Sequence, residues 1–159
     1  MPATAGSKQP KWRIWLTAYA PFIIWIFVVL GLGSGIGSMK ETSRIIRPLL
    51  EFLFPTASPE TLKSYHAIIR KFAHLTEYAM LAFLAVRALR ASSVTSLRNY
   101  RFVIAILIVL VIASLDEFHQ SFEASRTSAV WDVVLDVVGG SIAATCLYIL
   151  ARRKAGQND

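Results

Sequence analysis

The sequence predicts an all-α integral membrane protein: four transmembrane helices in a bundle, with an outer interfacial helix in the first loop. Three observations point there. The 159 residues are 55% hydrophobic and only 17% charged, and the mean hydropathy of +0.51 exceeds what a soluble domain of this length carries. Four apolar stretches are each long enough to cross a hydrocarbon core of about 30 Å, and at about 20 residues apiece they use about half the chain. That leaves one membrane domain, residues 1–159, and little for a separate soluble one. The single cysteine, Cys146, lies in the last apolar stretch, which excludes a disulfide framework and a Cys-based zinc site.

The first span reads from Ile14 to Gly37, preceded by Lys8, Lys11 and Arg13 and flanked by Trp12 and Trp15 at the level of an aromatic belt. It is longer than the hydrophobic region of a secretory signal, so retention is expected, although the small residues of Gly33 to Ser38 resemble a cleavage site. Pro21 should at most kink it. Between Met39 and Pro55, charges alternate with Ile45, Ile46, Leu49, Leu50 and Leu53 at helical spacing, the pattern of an interfacial helix, with Pro48 as a point of interruption. Ser58-Pro59-Glu60 starts the next helix, with Ser as N-cap, Pro in the first turn and an acid beside it. That helix runs to Arg90, with its membrane span over 66–89. The third span covers 102–118 and the fourth 129–150, closed by Arg152, Arg153 and Lys154.

Four spans put both termini on one side. Ten Lys and Arg residues on that side, against five in the loops opposite, predict cytoplasmic termini. Arg87, Arg90, Arg98 and Arg101 occur in the middle loop without an acid, as suits anionic lipid. The formal charge of +7 therefore orients a membrane protein, and nucleic acid is not an expected partner.

Charged residues inside spans are costly and therefore usually face a bundle interior and serve a purpose. In span two Arg70, Lys71, His74, Glu77 and Tyr78 share one side of the helix. At the end of span three, Asp116, His119, Gln120 and Glu123 fall on one face and Glu117 beside it. Span four opens with Asp132 and Asp136, one turn apart, on a stripe that continues through Gly139, Ala143 and Cys146. Gly139 with Ala143 and Gly140 with Ala144 form small-xxx-small pairs that admit a close partner helix.

The up-and-down topology brings these groups, with the loop residue Arg126, to one outer level. Six acids face three permanent cations there, an excess of about −3 that shared protons, a divalent cation or a cationic substrate group would offset. His74, Glu77, Asp116, Glu117, Asp132 and Asp136 are candidates for proton transfer or catalysis. Lys71, Tyr78, Gln120 and Arg126 are candidates for ligand binding. His74 with Glu77 and Asp116 with His119 have the spacing of ligand pairs for a divalent metal. A salt-bridge network that only fixes helix packing is the competing reading, with Arg70 or Lys71 on Glu77 and Arg126 on Asp132. His66 reads as an interfacial residue.

Lys71-Phe-Ala-His74-Leu-Thr-Glu77-Tyr78 with Leu81, then Asp116-Glu117-Phe-His-Gln120-Ser-Phe122, Arg126, Asp132 and Gly139, resemble the VanZ-like family over residues 66–150. The resemblance implies a small multi-pass bacterial membrane protein with a cell-envelope role, in a family linked to glycopeptide resistance through tolerance to teicoplanin. It supplies no mechanism. The chain departs from the family pattern at two places: Ala124-Ser125 stand where Pro-Gly is common, and Asp136 replaces a common Asn and adds a charge. The expected partners are membrane lipids and an envelope amphiphile, either a lipid-linked precursor or a lipoglycopeptide. A metal- or carboxylate-dependent hydrolase or transferase, and an accessory subunit without activity, are the alternatives; the sequence names no protein partner and does not decide whether the chain is an enzyme.

Overall fold

The computed structural model describes residues 11–33, 39–122 and 130–157, all in helices or short connections, with no strand among them. Four helices are long and apolar enough to span a membrane: Trp12–Gly33, Pro59–Arg90, Arg101–Gln120 and Val130–Ala155.

The first span is built from α1 (Lys11–Ile14), a π-helical turn (Trp15–Tyr19) and α2 (Ala20–Gly33). The widened turn has a local cause. Pro21 has no N–H and its ring crowds the preceding turn, and the backbone relaxes just before it, with Ala20 N–H reaching back to the Trp15 carbonyl. The span ends at Gly33 among the described residues, so the expected continuation to Gly37 lies outside them.

The amphipathic segment is a helix, α3 (Met39–Leu53), and Pro48 lies inside it without breaking it. Ile45, Leu49 and Phe52 form its exposed apolar stripe. Leu50 turns inward, while Arg44 pairs with Glu41 at 3.2 Å and Arg47 with Glu51 at 2.8 Å on a separate polar side. A helix with one side on the bundle, one apolar and one charged is shaped for the membrane interface.

The next helix, α4 (Pro59–Arg90), starts as the sequence predicts: Ser58 Oγ accepts a hydrogen bond from Thr61 N–H at 3.2 Å, with Pro59 in the first turn. A short α5 (Thr95–Asn99), which the sequence reading does not anticipate, leads into α6 (Arg101–Gln120), and α7 (Val130–Ala155) follows. Helices α4, α6 and α7 pack on one another, α2 packs on α4 and α6, and α3 packs on α4.

The core has a simple composition. Tyr78, Leu81, Ala82, Val109 and Ala113 are buried with Val29 of α2, and Ala85, Val86 and Ala105 continue the contact toward the other end. Small residues draw α4 and α6 together because helix association in lipid depends on close packing more than on apolar transfer. Ile24, Phe27, Val103, Leu107, Val111 and Ile142 point outward as a lipid-facing surface would require.

Candidate functional site

Asp116 is the centre of the polar cluster. It continues the buried stripe of α6 that runs through Ala105, Val109 and Ala113, and it is itself 3% exposed. Tyr78 Oη of α4 donates to Asp116 Oδ2 at 3.2 Å, and Gln120 Nε2, one turn on, donates to the same oxygen at 2.7 Å. A carboxylate buried at this depth is tolerable only because donors meet it.

The first span closes the other side. A Cβ added to Gly33 would land on Asp116 Oδ1, so the bare backbone of α2 is what admits the carboxylate. Trp25 of the same helix donates its indole N–H to the Glu77 carbonyl at 3.0 Å, anchoring α2 to α4 at the residue before Tyr78. The sequence reading draws its site from three spans and misses this fourth contribution. Two signals carry it: a Trp in mid-span, whose N–H needs a partner away from water, and a glycine at the level of the acidic residues.

On α7, Asp136 is buried and Asp132 half-buried. His74 Nδ1 of α4 lies 3.7 Å from Asp136 Oδ1, with the His side chain 25% exposed and the Asp side chain 5%. Asp136 Oδ1 accepts no hydrogen bond among the described residues. This contact depends on Gly139, where an added Cβ would stand 2.5 Å from the Leu75 carbonyl oxygen, so α7 rides directly on the α4 backbone one residue after His74. Gly140 faces α6 instead, against Val109. The two small-residue pairs thus serve different partner helices. Cys146, expected on the same stripe, is exposed.

The structure divides the remaining candidates. Glu77 and Glu117 are half-buried beside the cluster, and Lys71 is exposed one turn before His74. His119 is exposed while Asp116 and Gln120 are buried, which corrects the expectation that all three share the inner face. Gln120 stands about 40° round the helix from Asp116 and His119 about 60° the other way, so the buried face turns toward Gln120 and leaves His119 outside it. Among the described residues no group of three or more His, Cys, Asp or Glu side chains is placed to hold a metal ion. Glu123 and Arg126 lie outside the described residues.

His66 is corrected as well. It is not at an open interface but 4% exposed, with Thr42 Oγ1 at 3.1 Å from Nε2 and Ser43 Oγ at 3.4 Å from Nδ1. It ties α3 to α4.

A family model described as VanZ/LLP1 matches residues 16–151. No curated protein and no solved structure matches the chain. The match covers most of the sequence, from within the first span to within the fourth, and the chain belongs to this family.

Proposed function

We propose that this VanZ-like membrane protein uses the cluster around Asp116 and Asp136 as an outward-facing site that binds or processes a cell-envelope amphiphile, a lipid-linked precursor or a lipoglycopeptide such as teicoplanin. The observation that carries the reading is the His74–Asp136 pair, 3.7 Å apart, in which a part-exposed imidazole connects a buried carboxylate to the exterior. An interaction that served packing alone would not need a titratable ring at the surface. Lys71, exposed one turn earlier on the same helix, and Arg126 would hold an anionic group of the ligand. His74, Glu77 and Asp132 then stand where protons can be exchanged with it, and Asp116, held by Tyr78 and Gln120, is the fixed element beneath. The same groups would support hydrolase or transferase chemistry on a lipid-linked substrate. The positive-inside distribution supports cytoplasmic termini and an inner-membrane location.

Teicoplanin tolerance of a susceptible bacterial host expressing the full chain tests the reading. We expect wild type to raise tolerance, and His74→Asn and Asp136→Asn to abolish the gain while accumulating in membranes at wild-type levels. Variants that vanish from the membrane would make the cluster a packing device, and no gain from wild type would remove the lipoglycopeptide from the ligand class. Orientation is read separately in a Cys146→Ser background. Ser121→Cys should react with an impermeant maleimide on intact cells, and Ser93→Cys only after permeabilisation.

A further inference from the structure

At the end of the bundle away from Asp116, α6 and α7 flank a shallow, open apolar cleft of about 270 Å³, lined by Val103, Ile106, Ala144 and Thr145 together with Phe102 and Tyr148 and, just before α6, Asn99 and Tyr100. The Phe102 and Tyr148 rings pair edge to face, 5.4 Å between centroids at 82°. Each carries an arginine: Arg101 Cζ lies 4.5 Å from the Phe102 centroid and Arg152 Cζ 5.6 Å from that of Tyr148. Arg101 also donates to the Arg98 carbonyl at 2.7 Å. Two guanidiniums are thus held on one aromatic pair, one from each helix.

Neither has a carboxylate partner among the described residues. Indeed no Asp or Glu occurs in residues 84–115 or 137–157, the segments that build this end. On α6 the cleft residues Val103 and Ile106 follow Arg101, and on α7 Ala144 and Thr145 precede Arg152. At 1.5 Å per residue these positions lie, along the helix axes, from roughly 3 Å (Val103) to 12 Å (Ala144) from the backbone of the two arginines, toward mid-membrane. That is the order of an amphiphile with its charge at the surface and its chain below.

We propose that this cleft is a binding site for an anionic glycerophospholipid, its phosphate between Arg101 and Arg152 and one acyl chain against Val103, Ile106 and Ala144. Unopposed positive charge selects the headgroup, and the cleft between the helices selects a chain over a free anion. The site is independent of the polar cluster and of the function proposed for it.

Native mass spectrometry of the full chain in detergent, offered equimolar phosphatidylglycerol and phosphatidylcholine of matched chain length, tests this. Two arginines near an anionic headgroup correspond to a preference of roughly thirtyfold for phosphatidylglycerol. Arg101→Gln with Arg152→Gln should bring the ratio close to one, whereas Arg90→Gln, exposed at the same end but off the cleft, should leave it within about twofold. Thr145→Trp should reduce retention of both lipids by filling the cleft. If the double variant does not fold, Arg152→Gln alone, at the solvated end of α7, should lower the ratio about fivefold. Equal retention of the two lipids by wild type overturns the proposal. So does an equal loss in Arg90→Gln, which would mean a diffuse basic surface. Displacement of the lipid by millimolar inorganic phosphate, with Thr145→Trp silent, would reduce the site to an anion contact and also overturn it.

Discussion

The carboxylate of Asp116 lies in the space that a side chain on Gly33 would occupy. Two helices far apart in sequence therefore share one volume, and the absence of an atom on α2 is part of how α6 keeps its acid in the bundle.

Gly33→Ala should consequently destabilise the protein by about 1–3 kcal/mol, the range for forcing a methyl into a filled site, despite alanine's better helix propensity. Truncating the opposing residue should relieve the clash. In a double-mutant cycle with Asp116→Ala, read by thermal melting in detergent, we expect the two changes to be coupled by at least about 1 kcal/mol. Strictly additive losses would contradict the shared volume.

The two glycines of α7 should respond differently to the same substitution. Gly139→Ala meets the Leu75 backbone and Gly140→Ala the Val109 side chain. Backbone cannot rotate away, so Val109→Ala should restore much of the stability lost in Gly140→Ala, while no single side-chain truncation rescues Gly139→Ala. Gly31 has nothing within 4 Å of an added Cβ, and Gly31→Ala should be neutral or stabilising by up to about 1 kcal/mol.

Tyr78→Phe removes one of the two donors to Asp116 Oδ2 without changing packing volume. Leaving a buried acceptor short of a donor costs about 1–3 kcal/mol. Gln120→Leu removes the other, and the combined loss should differ from the sum because both donors serve one oxygen. Melting temperatures of the four proteins decide it.

His66 should govern the attachment of α3. Thr42→Val together with Ser43→Ala removes its two hydroxyl partners. At about 1 kcal/mol net per hydrogen bond, amide exchange in 41–53 should accelerate by roughly tenfold or more, with little change in the melting of the four spans. Unchanged exchange would mean that Leu50 and its apolar neighbours alone hold the helix.

Much of this was readable in advance because a bilayer constrains a chain severely. Span length, the Ser58 cap and the apolar stripe of α3 are local properties, and α3, α4, α6 and α7 lie close to where those patterns run, while the short α5 carries no such pattern. Pro48 does not interrupt α3: it stands on the exposed side of a surface helix, where a missing hydrogen bond is left to solvent or headgroups. His119 lies outside the buried face for a different reason. Helical spacing says which residues neighbour one another, but the width of the buried face is set by the partner helices, and here it admits Asp116 and Gln120 and excludes His119.

The sequence by itself determined a four-span helical membrane protein, its family, and the gathering of acids and histidine at one end, since hydropathy, motif order and alternating span direction allow little else. Only the tertiary structure decided which members of that group touch. Pairing Tyr78 with Asp116 and His74 with Asp136 requires the approach distances of α2, α4, α6 and α7. Those distances are set by atoms missing at Gly33, Gly139 and Gly140: the small-residue spacing marks Gly139 and Gly140 for a close approach, but what each glycine meets, up to about eighty positions away, is encoded in no local pattern.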